Sequence, residues 1–186
     1  MANSSTQVRL APDGKVFVGP PGTTLPTNAT MSLDAALKEV GYIDEQGVSM
    51  TPDVGLKDIM MWQSATAVKT TLDTVKFSIK FNMGQVNFTT WGLYFFNTTP
   101  VNVFGGSSLT IPSNPPSQER TAVIEWTDDE GDVSRLVLPA CVLDKRDALK
   151  LVRKDAQILG VELRALDYNG VLAYVYSENP DLIPAS

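Results

Sequence analysis

The chain of 186 residues contains no histidine. That absence removes the Ser-His-Asp and Cys-His arrangements, the usual general base near neutral pH, and most zinc and copper sites. One cysteine, Cys141, leaves no internal disulfide to form and agrees with a reducing compartment. Cys141 lies among Leu138, Ala140 and Val142 with no cation beside it in sequence, so it reads as a buried, inert thiol and not a nucleophile. Neither GxGxxG nor GxxxxGK[ST] occurs, and Gly105–Gly106 lacks the following helix and lysine of a phosphate cradle. No run approaches the roughly 20 apolar residues of a membrane span. The opening MANSSTQVRLAPDGK lacks the apolar centre of a signal peptide, so a protein made and kept in a cytoplasm is expected. Cations are the minority, 15 Lys and Arg against 21 Asp and Glu, for a net charge of −6. A protein that grips nucleic acid needs clustered cations. Acidity does not exclude one that lets nucleic acid pass without holding it.

Carboxylates offer little chemistry in compensation. Asp128-Asp129-Glu130-Gly131-Asp132, with Glu125 nearby, is the only local cluster. It lacks the spacing and closing Glu of a 12-residue calcium loop and reads as a solvated hairpin tip. Trp62, Trp91 and Trp126 suit core packing or subunit contact better than a sugar-binding platform. Sequons at Asn3, Asn28, Asn87 and Asn97 fit chance in a Thr/Ser/Asn-rich chain. No catalytic, cofactor-binding or metal-ligating residue is assigned, no cofactor is expected, and an enzyme is not.

What is abundant is β structure: Thr, Val, Ile and aromatic residues punctuated by Pro and Gly. Residues 1–13 read as a flexible arm and Lys15–Val18 as a first strand stopped by GPPGTTLPT. MSLDAALKEVG reads as a short helix with Ser32 as N-cap and Gly41 as stop. A short strand follows at Val48–Met50. QVNFTTWGLYFFN suits a helix capped by Asn87, with Phe88, Trp91 and Phe95 on one face, or equally a strand. Residues 97–118 form a proline-rich connection with at most two short strands. In RTAVIEWT, Ala122, Ile124 and Trp126 share a face. VSRLVLPACVL turns Leu136, Leu138, Ala140 and Val142 inward, and ILGVELRAL does so with Leu159, Val161, Leu163 and Ala165. Tyr168-Asn169-Gly170-Val171 is the strongest hairpin signal, leading into the last strand VLAYVY. DKRDALKLVRKDAQ reads as a helix or as a short strand between turns. The expected architecture is one mainly β domain over 14–177, a sandwich or partly closed barrel with a flanking helix, followed by a tail at 178–186.

Two stretches resist a reading as plain scaffold. PDVGLKDIMMWQSAT, residues 52–66, carries Leu56, Ile59, Met60, Met61 and Trp62 as an apolar island in turn-like surroundings, which marks an interaction surface. AVKTTLDTVKFSIKFNM, residues 67–83, alternates cleanly from Val75 to Met83 but in opposite phase before it. A bulge among Leu72, Asp73, Thr74 and Val75 is expected, switching the buried face so that the strand serves its own core at one end and a shared one at the other.

The order of these pieces resembles the major tail proteins, or tail tube proteins, of long non-contractile-tailed bacteriophages, especially those of actinobacteria. The likeness is carried by KVFVGPPGTTLPTNATMSLDAALKEVGYIDEQGVSMT, by DIMMWQSATAVKTTLDTVKFSIKF, and by LVLPACVLDKRDALKLVRKDAQILGVELRAL, spanning about residues 15–168. The resemblance implies a β tube domain with one flanking helix and a long hairpin loop, here 52–66, that reaches a neighbouring ring. It implies hexameric rings stacked into a conduit for phage DNA. The implied partners are further copies of the chain and other tail proteins such as the tape measure, initiator and terminator; no membrane partner is expected. The implied location is the virion tail, assembled in the bacterial cytoplasm. A tail terminator or head-decoration protein is a neighbouring reading, and a carbohydrate-binding β-sandwich one of a different class.

Overall fold

The computed structural model describes residues 7–183. The alternating apolar segments form strands β1 (Asp13–Gly19), β2 (Lys38–Glu39), β3 (Ile43–Ile59) and β4 (Lys69–Met83). Helix α1 (Phe88–Tyr94) and the short strands β5 (Val101–Val103) and β6 (Gly106–Ser108) follow, then β7 (Glu119–Thr127), β8 (Val133–Arg146), β9 (Leu159–Ala165) and β10 (Tyr174–Ser177). Eight strands make one antiparallel sheet in the order β2-β1-β7-β8-β9-β4-β3, with β10 also on β8; β5 and β6 pair separately. The sheet curls around a core of Val16, Val18, Ile79, Phe81, Met83, Ile124, Leu136, Leu138, Leu159, Val161 and Leu163 without closing. A mainly β domain with one flanking helix is therefore the fold.

That helix is α1. Asn87 accepts a hydrogen bond from Thr90 N at 2.9 Å while Thr90 Oγ1 accepts one from Asn87 N at 2.9 Å, a reciprocal cap. Trp91 and Phe95 pack on the core, and Phe88 faces outward. The helix expected over MSLDAALKEVG does not form. Asp34 Oδ1 accepts from Ala36 N at 2.9 Å and Leu37 N donates to Asp34 O, closing a turn at the point where a helix would have to propagate. Val40 N then donates to Val16 O. The segment crosses the outer face of the sheet instead, where Leu25, Leu33 and Leu37 cover Phe17, Val123 and Val137.

Strand β8 departs from the expected inward set. Ala122 pairs with Leu138 but Arg120 pairs with Cys141, so two residues of β8, Pro139 and Ala140, oppose Thr121 alone. The extra residue moves the core face from Leu136 and Leu138 to Cys141 and Leu143, and Ala140 and Val142 are only half-buried. Proline cannot donate to the ladder, and its carbonyl takes the Thr121 hydroxyl at 3.0 Å.

The Asn169-Gly170 turn has positive φ at both residues, 55° and 83°, as a type I′ turn requires. Its flanking strands do not pair with each other beyond the Tyr168–Val171 bridge. Both lie instead along the long β8, β9 from Cys141 to Arg146 and β10 from Ser134 to Val137. DKRDALKLVRKDAQ is neither helix nor isolated strand: β8 runs on to Arg146, and 147–158 is irregular.

Of the expected arm, residues 1–6 lie outside the described residues, as do 184–186 of the tail. Residues 9 and 10 rest on the turn after β7. Leu10 N donates to Asp129 Oδ1 at 3.0 Å, and Arg9 meets Asp128 at 3.3 Å, Asp132 at 3.6 Å and Asp181 at 3.4 Å.

Candidate assembly surface

β3 and β4 are far longer than the sheet that supports them. β9 pairs with β4 only from Ser78 to Met83. Beyond it the hairpin continues as a two-stranded ribbon from Pro52↔Phe77 to Ile59↔Lys69. At about 3.3 Å per residue the free ribbon projects roughly 25 Å. Expectation and structure differ over residues 52–66: 52–59 is strand, and only 60–68 makes the tip, closed by Ser64 N to Met61 O and Val68 N to Ile59 O. Pro52 sits within β3 because β3 is the outermost strand, where a missing donor costs no ladder bond.

The pairings define two faces. Val48, Met50, Pro52, Val54 and Leu56 of β3 share one with Phe81, Ile79, Phe77, Val75 and Leu72 of β4. The other is polar over most of its length, with Ser49, Thr51, Asp53 and Lys57 opposite Lys80, Ser78, Lys76 and Thr71. The register shifts by one residue between Gly55↔Thr74 and Leu56↔Leu72, leaving Asp73 without a partner. The bulge at Asp73 therefore does not swap the face that β4 presents. It keeps Leu72 on the same side as Leu56, and a single apolar face runs unbroken from the core at Phe81 to the distal ribbon.

Among the described residues nothing covers that face distally. Val54, Leu56, Leu72 and Val75 are each more than half exposed, as are Met60 and Met61, and Trp62 at the tip is 99% exposed. Ile59 is half-buried and lies on the polar face. The sequence marks Leu56 and the tip but not Met50, Pro52 and Val54, because Pro52 reads as the start of a loop. The period-two run V-S-M-T-P-D-V-G-L was the available signal.

A second surface lies at the seam where the two ends of the sheet face each other. The cavity there, about 880 Å³, runs between the start of β1 and the first half of β3. Ile43, Val48, Met50, Ile124 and Trp126 contribute apolar lining, and Asp13, Glu39, Asp44 and Glu45 surround it with one cation, Lys15. Glu125 is also there but is paired with the buried Arg135.

The Cys141 thiol and the 128–132 carboxylates are engaged in contacts of their own. Burial pushes the Cys141 thiol up to about 12, although Arg120 pulls the other way, and its Sγ donates to Arg120 O at 3.2 Å. A thiol so protonated is not a nucleophile at neutral pH. In the 128–132 turn, Asp128 Oδ1 accepts from Glu130 N and Asp132 N, and Arg9 supplies the counter-charge. Among the described residues no group of three or more Cys, Asp or Glu is placed to hold a metal ion. The three tryptophans stand apart in the ribbon tip, α1 and the seam.

The chain is thus a mainly β protein, a curled sheet with a projecting ribbon whose distal apolar face is exposed. The chain matches the family described as "Phage tail tube protein" over residues 1–185, and it belongs to that family. It is thus a structural protein of the virion tail. None of the curated proteins compared with it is similar. One solved structure that it resembles is titled "Cryo-EM structure of the anti-feeding prophage (AFP) baseplate, 6-fold symmetrised". The sequence identity is 14% and the TM-score 0.48, over 94% of this chain and 97% of that one.

Proposed function

We propose that this chain is the major tail tube subunit of a long non-contractile phage tail. Six copies form a ring, and rings stack into a conduit for the genome. The carrying observation is the β3–β4 ribbon, whose apolar face leaves the subunit's own core and ends uncovered at Trp62. A two-stranded ribbon is marginal in water on its own, and apolar exposure of this extent calls for a covering chain. In the proposed assembly the ribbon lies on a neighbouring subunit of the same or the next ring, with Leu56, Ile59, Met60, Met61 and Trp62 in contact. The net charge of −6 supports a passage that repels phosphate and leaves DNA free to move. Tape measure, initiator and terminator proteins are the further partners, and assembly takes place in the host cytoplasm.

Negative-stain microscopy of concentrated protein, alone and with an initiator complex, tests the proposal. Rings or hollow polymers are expected from the natural chain. A variant lacking residues 54–64 is expected to stay folded by circular dichroism and to fail to polymerise. Unimpaired tubes from that variant overturn the ribbon's role, and a natural chain that stays monomeric under every condition overturns the tube.

A further inference from the structure

The connection from β8 to β9 is built unlike the rest of the surface. Residues 150–157, KLVRKDAQ, are all exposed, with Leu151 at 70% and Val152 at 52%. Three cations, Lys150, Arg153 and Lys154, flank these two apolar side chains. Among the described residues none of the three enters an ion pair. In a chain with only 15 cations, three in five residues is a concentration of positive charge with no internal use.

The seam cavity carries the complementary features. Its apolar lining offers room of about 880 Å³, and Asp13, Glu39, Asp44 and Glu45 outnumber Lys15 around it. Among the described residues no ion pair involves any of these four carboxylates. The two surfaces are also separated in the fold. The loop leaves the strand pair β8–β9 in the middle of the sheet order, whereas the seam lies where the ends of that order, β1–β2 and β3, meet.

We infer that the 150–154 loop of one copy docks in the seam of the next copy, Leu151 and Val152 entering the apolar lining and Lys150, Arg153 and Lys154 meeting the carboxylates. Rim charges of opposite sign steer such an encounter and fix its register, while the apolar pair supplies the desolvated centre. Because loop and seam are different surfaces, the contact is head-to-tail, the kind that closes into a ring when its rotation divides a full turn. The inference rests on the proposed self-assembly, and assigns it a lateral contact distinct from the ribbon.

Disulfide trapping tests it on the full chain, since Cys141 is buried and does not compete. Val152→Cys and Tyr42→Cys are placed on separate molecules; Tyr42 lines the seam and is 81% exposed. The mixture is expected to form the mixed dimer about tenfold faster than a mixture of Val152→Cys with Val175→Cys, the lower range of electrostatic steering. Salt at 1 M is expected to remove most of that advantage, the screening length there being about 3 Å. Lys150→Glu with Arg153→Glu and Lys154→Glu lowers trapping to the control rate, and Glu39→Lys with Glu45→Lys in the partner restores it. Tubes that form without preferential trapping overturn the loop–seam contact and leave the tube standing. Trapping without tubes supports the contact and counts against the tube, and the absence of both overturns both.

Discussion

Leu56 of β3 stands opposite Leu72 of β4 although Gly55, one residue earlier, stands opposite Thr74. The unpaired Asp73 between them is the whole of the phase change in the sequence. Its effect is to keep two leucines on one face across a ribbon that would otherwise turn Leu72 to the polar side.

Deleting Asp73 is therefore expected to give a regular hairpin with the same Leu56–Leu72 pair. Asp73 is exposed, so the monomer's stability should change by no more than about 0.5 kcal/mol. The local twist that a bulge adds would be lost, and the ribbon would aim differently. Urea unfolding checks the first expectation. A slowed or abolished rise in light scattering during assembly checks the second.

Replacing Trp62, Met60 and Met61 with Asp places three charges where the free subunit has only solvent. Folding stability should stay within about 1 kcal/mol of the natural chain, since the three side chains are at least half exposed. Polymerisation should fail. Calorimetry and sedimentation on one preparation separate the two effects.

Glu125→Ala removes the partner of Arg135, which is 4% exposed. Arg135 keeps its bond to Asn28 O but loses its counter-charge, a loss of about 3–5 kcal/mol for a buried pair. Some of this should be recovered in the double variant Glu125→Leu, Arg135→Met. The midpoints of urea unfolding give the comparison.

Cys141 makes stability pH-dependent in the alkaline range. The folded thiol is held at about 12 by burial, against 9.0 when free, so the unfolded chain gives up its proton first. Its contribution is intact below pH 9 and is lost between about 9 and about 12, with a slope of up to about 1.4 kcal/mol per pH unit. Unfolding of Cys141→Ala at pH 8 and pH 10 should show a smaller drop than the natural chain. Equal drops would assign the effect to groups other than Cys141.

The sequence was legible where one local rule acted alone. The clean alternation of β9 put Leu159, Val161, Leu163 and Ala165 in the core. Asn87 marked the start of the helix, although the stretch suited a strand as well, and Asn169-Gly170 supplied a turn that only residues tolerant of positive φ can make. It misled where a partner strand decided. Pro52 looks like a breaker until β3 is known to be an edge. Pro139, a proline inside a strand, is itself the sign of a bulge, and simple alternation across it misassigns the inward set of β8. The seam cavity had no signal at all, because it joins residues 11–15, 39–50 and 124–126 that only the curl of the sheet brings together.

Arg9 touches both Asp128 and Asp181, so segments near the two ends of the chain are held within the reach of a single guanidinium. Residues 9 and 181 are thus already joined by one ion-pair network. A short linker from the 181 side to the 9 side should allow the chain to be reopened at Phe104–Gly105, in the turn between β5 and β6. Such a permutant would carry its new ends on a small separate sheet, leaving ribbon, seam and 150–154 loop intact while freeing the 128–132 corner of both original ends.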